Sequence, residues 1–212
     1  MSLAYKISGF NRRRKWNLFL REMKPQPEEK ILDIGFSEEE YSATDNFLEK
    51  NYPYLDQVTA LSVDEAKIFK KSYPQVNTVT YDGKKFPFPD NTFDICWSNA
   101  VIEHVGDKEK QVLFLKEIYR VGKKAFITTP NRFFPVEIHT RVPALHWFLS
   151  KKWFDGFLVL IGKKWATGDY MNLLSLNELK CLLRGAGIND YKIVKNRLLF
   201  FALDFVIIWK KN

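Results

Sequence analysis

Short apolar runs that stop on a polar residue or a glycine alternate with amphipathic stretches along most of this chain, and that alternation leaves few folds open. The runs occupy residues 30–35, 57–61, 77–81, 93–98 and 124–129, with helix-like stretches at 41–50, 64–72 and 108–120 between them. Apolar runs this short and this continuous suit strands buried on both faces, and parallel neighbours need crossover helices. The expected fold class is therefore α/β, a doubly wound sheet with helices on both faces. Two closing runs, 191–200 and 203–209, are too close for a crossover and are expected to form an antiparallel hairpin. We expect one domain over 1–212: an N-terminal helical segment (1–29), a core (30–130), an aromatic and basic insertion (131–174), then a helix from residue 175 and the hairpin (175–212).

Composition narrows the classes. The chain has 212 residues, 46% of them hydrophobic and 27% charged, values that suit a globular fold and not a disordered one. Its net charge of +8 favours anionic partners, but the basic residues are scattered in small clusters, among them 12–15, 84–85, 151–152 and 163–164, which we expect to be solvated corners. No continuous basic stripe with stacking aromatics is present, so nucleic acid is a poor partner. Cys96 and Cys181 have no metal-ligand spacing, so no metal site is expected and a reducing cytoplasm fits. The N-terminus reads Arg12-Arg13-Arg14-Lys15 without an apolar leader core, and no eighteen-residue apolar run exists. We expect neither secretion nor a membrane span.

In an open parallel sheet, ligands bind beyond the carboxyl ends of the strands. Those ends carry Asp33 and Gly35, Ser62 and Asp64, Asp82 and Gly83, Ser98 and Asn99, and 129–131. Acids also cap helices and glycines also permit turns, but five polar ends in register point to a site. The dinucleotide fingerprint G-x-G-x-x-G is absent, which argues against a dehydrogenase.

The stretch Tyr81-Asp82-Gly83-Lys84-Lys85-Phe86-Pro87-Phe88-Pro89-Asp90-Asn91-Thr92-Phe93-Asp94-Ile95, followed by Ser98-Asn99-Ala100-Val101-Ile102-Glu103-His104-Val105, resembles the central signature of class I S-adenosylmethionine-dependent methyltransferases. Glu117-Ile118-Tyr119-Arg120-Val121 leading to Phe126-Ile127-Thr128-Thr129-Pro130-Asn131 is similar to the helix and fifth strand of the same family. The resemblance implies a Rossmann-like sheet of seven strands, six parallel and the last antiparallel, with S-adenosylmethionine as methyl donor. It implies that Asp33 and Gly35 approach the cofactor's amino-acid part, that Asp82 binds the adenine amino group and Gly83 offers its N–H to the ring, and that Asn99 sits near the carboxylate or the transferred methyl. Ser62 stands where the ribose-binding acid is usual; Asp64, two residues on, either reaches the ribose or caps its helix. Residues 36–40, Phe-Ser-Glu-Glu-Glu, replace the family's further glycines, so a looser hold on the cofactor is expected, with three acids near its carboxylate.

Methyl transfer is an in-line displacement, so the protein must align an acceptor and take its proton. His104 and His139 are the candidate catalytic bases; His104 could equally pack over its loop. The insertion at 133–165 interleaves aromatic residues, Trp147, Trp153 and Trp165 among them, with Arg and Lys. It forms either a pocket wall or a surface for membrane headgroups, which favour Trp and Lys together. Pro130-Asn131-Arg132-Phe133-Phe134-Pro135, with His139-Thr140 and His146-Trp147, is similar to stretches in methyltransferases of bacterial surface-glycan clusters. The expected function is methyl transfer to a small or glycan- or lipid-linked polar acceptor, most plausibly at oxygen, in the cytoplasm or at the inner membrane face; the alternative is a non-catalytic binding module with an eroded first motif.

Overall fold

The computed structural model describes residues 3–136, 142, 145–164, 167, 168 and 172–211, the side chains of residues 3–6, His146 and Lys151 excepted. In chain order the elements are α1 (Leu3–Met23), β1 (Ile31–Ile34), α2 (Phe47–Asn51), β2 (Val58–Ser62), α3 (Lys67–Ser72), β3 (Asn77–Thr80), β4 (Phe93–Asn99), α4 (Lys108–Val121), β5 (Gly122–Pro130), α5 (Leu145–Phe148), α6 (Lys151–Leu160), α7 (Leu176–Gly185), β6 (Lys192–Leu198) and β7 (Phe201–Lys210). The strands form one sheet in the order β3-β2-β1-β4-β5-β7-β6, six parallel and one antiparallel. The order reverses direction on either side of β1, which is where such sheets open a crevice for ligands. All four β1 residues are buried, as a central strand requires, and Asp33 stands beside Ala60 on β2 and Trp97 on β4.

The chain divides into two compact units interleaved along the sequence: residues 1–99, 117–127 and 208–212 in one, 100–116 and 128–207 in the other. In the first, α1 lays an aromatic face on the sheet. Trp16 stacks on Phe19, Phe19 meets Trp97 edge-on at 4.9 Å between centroids, and Trp97 lies parallel to Phe126 at 5.1 Å. Burying each such ring contributes about 1.5–3 kcal/mol, with roughly 0.5–1.5 kcal/mol more per well-placed aromatic pair. Lys24, in the left-handed region at φ 48°, ends α1 ahead of Pro25. The turn from α4 into β5 needs Gly122, because a Cβ there would overlap the buried Cys96 sulfur.

In the second unit, Val142, Phe154 and Leu158 make a small core against Leu145, Leu149, Phe157 and Leu173. The amphipathic α7 buries Leu179, Leu182 and Leu183. It starts on a capping box: Ser175 accepts from the Glu178 N–H, and the Glu178 carboxylate accepts from the Ser175 N–H at 2.9 Å.

Two expected elements change. Residues 41–50 are helical only from Phe47, because the Asp45 carboxylate takes the N–H groups of Tyr41 and Ser42 into a side-chain turn. Asp64 does not cap α3, which begins at Lys67; the Asp64 N–H donates instead to the Ser62 hydroxyl at 3.1 Å.

Candidate functional site

At the carboxyl end of β1 the chain turns at Gly35, whose φ of 86° lies in the left-handed region, and its N–H donates to the Leu61 carbonyl at 2.9 Å. Asp33 is buried and shares its site with the carboxyl of Glu49 on α2, whose two buried oxygens have no hydrogen-bond partner. Burial pushes the Asp33 carboxyl well above the ordinary range and the Glu49 charge adds to the rise, while the Ile34 N–H and Arg12 work against it. Burial raises Glu49 as well. Two carboxyls in one buried site each disfavour ionisation of the other, and burial raises both.

Asp33 and Glu49 line a polar cavity of about 50 Å³ together with Arg12, Asn46, Trp97 and Asn99. From β4, the Asn99 side-chain oxygen accepts from the Lys15 ammonium on α1 at 3.0 Å. Lys15 is buried, so the cluster at 12–15 is not a solvated corner throughout: Arg12, Lys15, Trp16, Phe19 and Met23 recur at helical spacing on the face that α1 presents to the core. That spacing was the available signal for Arg12 and Lys15. Nothing local in the sequence pointed to Glu49.

The loop over the cavity, residues 36–46, holds its shape through side chains. The Phe36 ring lies 4.2 Å from that of Phe69. The Glu38 carboxylate accepts from the Ile68 and Phe69 N–H groups at 2.6 and 3.2 Å, which gives α3 the cap that Asp64 does not supply. Those backbone bonds hold the Glu38 carboxyl below its usual range. Glu40 pairs with Lys50 at 2.7 Å and accepts from Tyr73 and Asn46, and Glu39 accepts from Tyr41. The three acids are thus spent on the loop itself; the carboxyl that faces the cavity beside Asp33 is Glu49.

Beyond β2, the Ser62 hydroxyl is buried under the Asp64 N–H, and Asp64 is exposed. Beyond β3, Asp82 is exposed and accepts from the Lys84 N–H at 3.0 Å, and Gly83 adopts a φ of 78° that a side chain would strain. Below this loop Arg120 donates to the Phe86 and Phe88 carbonyls, to both oxygens of Glu117 and to Asp90. Burial opposes ionisation of Glu117, but the bonds from Arg120 and the Phe86 N–H hold its carboxyl below the ordinary range. The loop carrying Asp82 is therefore clamped to α4.

The polar groups at the ends of β1, β3 and β4 fit the cofactor that the sequence suggests: acids for amino groups, a glycine N–H for a ring, an amide for a carboxylate. The 50 Å³ cavity is far below the roughly 300 Å³ at the small end of ligand pockets, so occupation requires residues 36–46 to give way.

In the second unit, His104 is half-buried on the turn Ile102–His104 that follows β4. Its neighbour Glu103 is fully buried and accepts from the Thr129 hydroxyl at 3.0 Å. His139 and Trp165 lie outside the described residues. Among the described residues no cluster of acids, histidines or cysteines could hold a metal, and no helix is long and apolar enough to cross a membrane.

Residues 32–125 match the methyltransferase domain family. No curated protein matches the chain. Among solved structures, an S-adenosylmethionine-dependent methyltransferase from Methanosarcina mazei is similar with a TM-score of 0.55 and 19% identity, over 88% of this chain and 94% of that one. A protein of Pyrococcus horikoshii gives 0.59 at 15% identity, over 93% and 87%. Phosphoethanolamine N-methyltransferase 2 of Haemonchus contortus, in complex with phosphomonomethylethanolamine and S-adenosylhomocysteine, gives 0.55 at 16% identity, over 86% and 38%. At such identities the likeness of the solved structures concerns the fold.

Proposed function

We propose that this chain, whose residues 32–125 match the methyltransferase domain family, is a class I S-adenosylmethionine-dependent methyltransferase that moves a methyl group from that cofactor to an oxygen of a small or lipid-linked polar acceptor. The observation that carries the reading is the set of strand ends: Asp33 within and Gly35 just after β1, Asp82 and Gly83 after β3, and Asn99 as the last residue of β4. Asp33 and Gly35 hold the amino-acid part of the cofactor, with Arg12 on the cavity wall supplying positive charge for its carboxylate. Ser62 or Asp64 takes the ribose, and Asp82 with the Gly83 N–H takes the adenine. When bound, the cofactor supplies a sulfonium methyl, an electrophile that needs only an aligned nucleophile. His104 accepts the proton of the acceptor hydroxyl, and His139 is the second candidate for that role.

Exposure in the insertion supports a membrane partner. Trp153 is 73% and Leu160 83% exposed, seven positions apart and so on one face of α6, with Lys152, Lys163 and Lys164 nearby in sequence. A pocket wall would bury them; an anionic lipid surface at the cytoplasmic side takes Trp, Leu and Lys together.

Calorimetry with S-adenosylmethionine and S-adenosylhomocysteine tests the core of the proposal. Both should bind with one site per chain. Failure of both to bind would remove it.

A further inference from the structure

A second cleft, about 550 Å³, opens within the second unit, between the residues after β5, the start of α7 and the β6–β7 hairpin. That volume suits an organic ligand of moderate size. Of its polar lining, the Asn131 amide donates to the Ala202 carbonyl and accepts from the Phe133 N–H, and Ser175 is engaged in its capping box. Two further groups of side chains line the cleft. Phe133, Phe200 and Phe201 are exposed rings, Phe200 at 88%, and Lys195 and Arg197 stand two apart on β6, hence on one face of it. No acidic side chain lines the cleft, and Lys195 pairs with no carboxylate among the described residues.

The hairpin tip strengthens the case. β6 and β7 are joined by two residues, Leu199 and Phe200, and Leu199 takes a φ of 53°. Two-residue hairpin turns with positive φ at the first position favour glycine, and a branched apolar residue there is strained. Folding alone would select neither an exposed leucine nor an exposed phenylalanine at that turn. Strain that persists at a solvent-facing tip beside a basic, aromatic cleft is the kind found at ligand clamps.

We propose that this cleft binds an anionic amphiphile, its phosphate or carboxylate held by Lys195 and Arg197 and its apolar part laid on Phe133, Phe200 and Phe201. Naming that ligand as the methyl acceptor rests on the transferase reading above; the binding itself does not. Arg197 already reaches the tip, donating to the Phe200 carbonyl at 3.4 Å, so the charged and aromatic halves of the cleft are joined.

The test is calorimetric titration of the full chain with octyl phosphate below its micelle concentration, with inorganic phosphate and octyl glucoside as controls. Octyl phosphate should saturate one site, with each control about tenfold weaker or worse. Lys195→Glu with Arg197→Glu should weaken octyl phosphate by about tenfold or more, and Phe200→Ser by several-fold, with S-adenosylmethionine binding unchanged in each. All three residues are exposed, and circular dichroism checks that the variants fold. Wild-type affinity in the double variant, or inorganic phosphate or octyl glucoside binding as tightly as octyl phosphate, would overturn the proposal. Loss of S-adenosylmethionine binding in the unaltered protein would sink the transferase reading and leave this one standing.

Discussion

The carboxyl of Glu49 on α2 is buried in one site with that of Asp33 at the end of β1, and neither Glu49 oxygen has a hydrogen-bond partner. An acid whose pKa is raised on folding costs stability at pH values above its ordinary range, and the cost is complete once the pH passes the raised value. Glu49→Gln removes one carboxyl and leaves an amide to donate to Asp33. It should raise stability at pH 7 by on the order of 1–3 kcal/mol, and the gain should shrink as the pH falls toward the ordinary carboxyl range. Thermal unfolding of both proteins between pH 4 and 8 measures this; a pH-independent difference would refute the cost of ionising the buried pair.

Asp82→Ala should weaken S-adenosylmethionine binding by about 1–3 kcal/mol, the cost of a lost hydrogen bond to the adenine amino group. Asp82 is exposed and its recorded partner is the neighbouring Lys84 N–H, so the variant should fold as the parent does. An unchanged affinity in titration would take Asp82 out of the site.

Closure of residues 36–46 over a small cavity has a kinetic and thermodynamic reading. Opening the Phe36–Phe69 contact and the Glu38 cap must draw on binding energy, so affinity is reduced by the fraction of time the loop is open. We expect a dissociation constant above about 1 μM, equivalent to roughly 8 kcal/mol of binding. A submicromolar value for the unaltered chain would contradict it.

Arg120→Lys should destabilise the chain although charge is kept, because an ammonium cannot span Glu117, Asp90 and the Phe86 and Phe88 carbonyls at once. A loss of about 1–3 kcal/mol in urea unfolding is expected. Glu117 is depressed on folding, so its contribution is present above the ordinary carboxyl range and fades as the pH falls through the lowered value. The difference between variant and parent should narrow in acid.

Vesicles test the α6 face. The chain should co-sediment with anionic vesicles at low salt and release at high salt, and Trp153→Ser with Leu160→Ser should abolish this. No sedimentation at low salt would leave a soluble acceptor as the better reading.

The alternation of strand and helix, the strand ends and the closing hairpin were legible because each is written in consecutive residues. Lys15 reaches Asn99 across 84 positions, and Glu49 meets Asp33 from the only helical stretch of a segment that is otherwise turn. No local pattern announces such contacts. The acids at 38–40 show a related effect: an acidic run near a strand end suggests electrostatics toward a ligand, but here Glu38 caps α3 and Glu39 and Glu40 bond to side chains of the loop and its neighbours. Asp64 failed as a cap because Glu38 had taken that task from 30 residues away.

The segment shared with the methyltransferase domain family begins at residue 32, after α1 has ended. Yet α1 contributes Phe19 against Trp97, Lys15 against Asn99 and Arg12 to the cavity wall. The inherited unit and the folding unit are therefore different objects in this protein. A fragment trimmed to the inherited boundaries would expose the face of β4 that α1 covers and would lose the cations beside Asn99 and Asp33. The leading helix is thus part of the wall of the cavity and not an appendage to it.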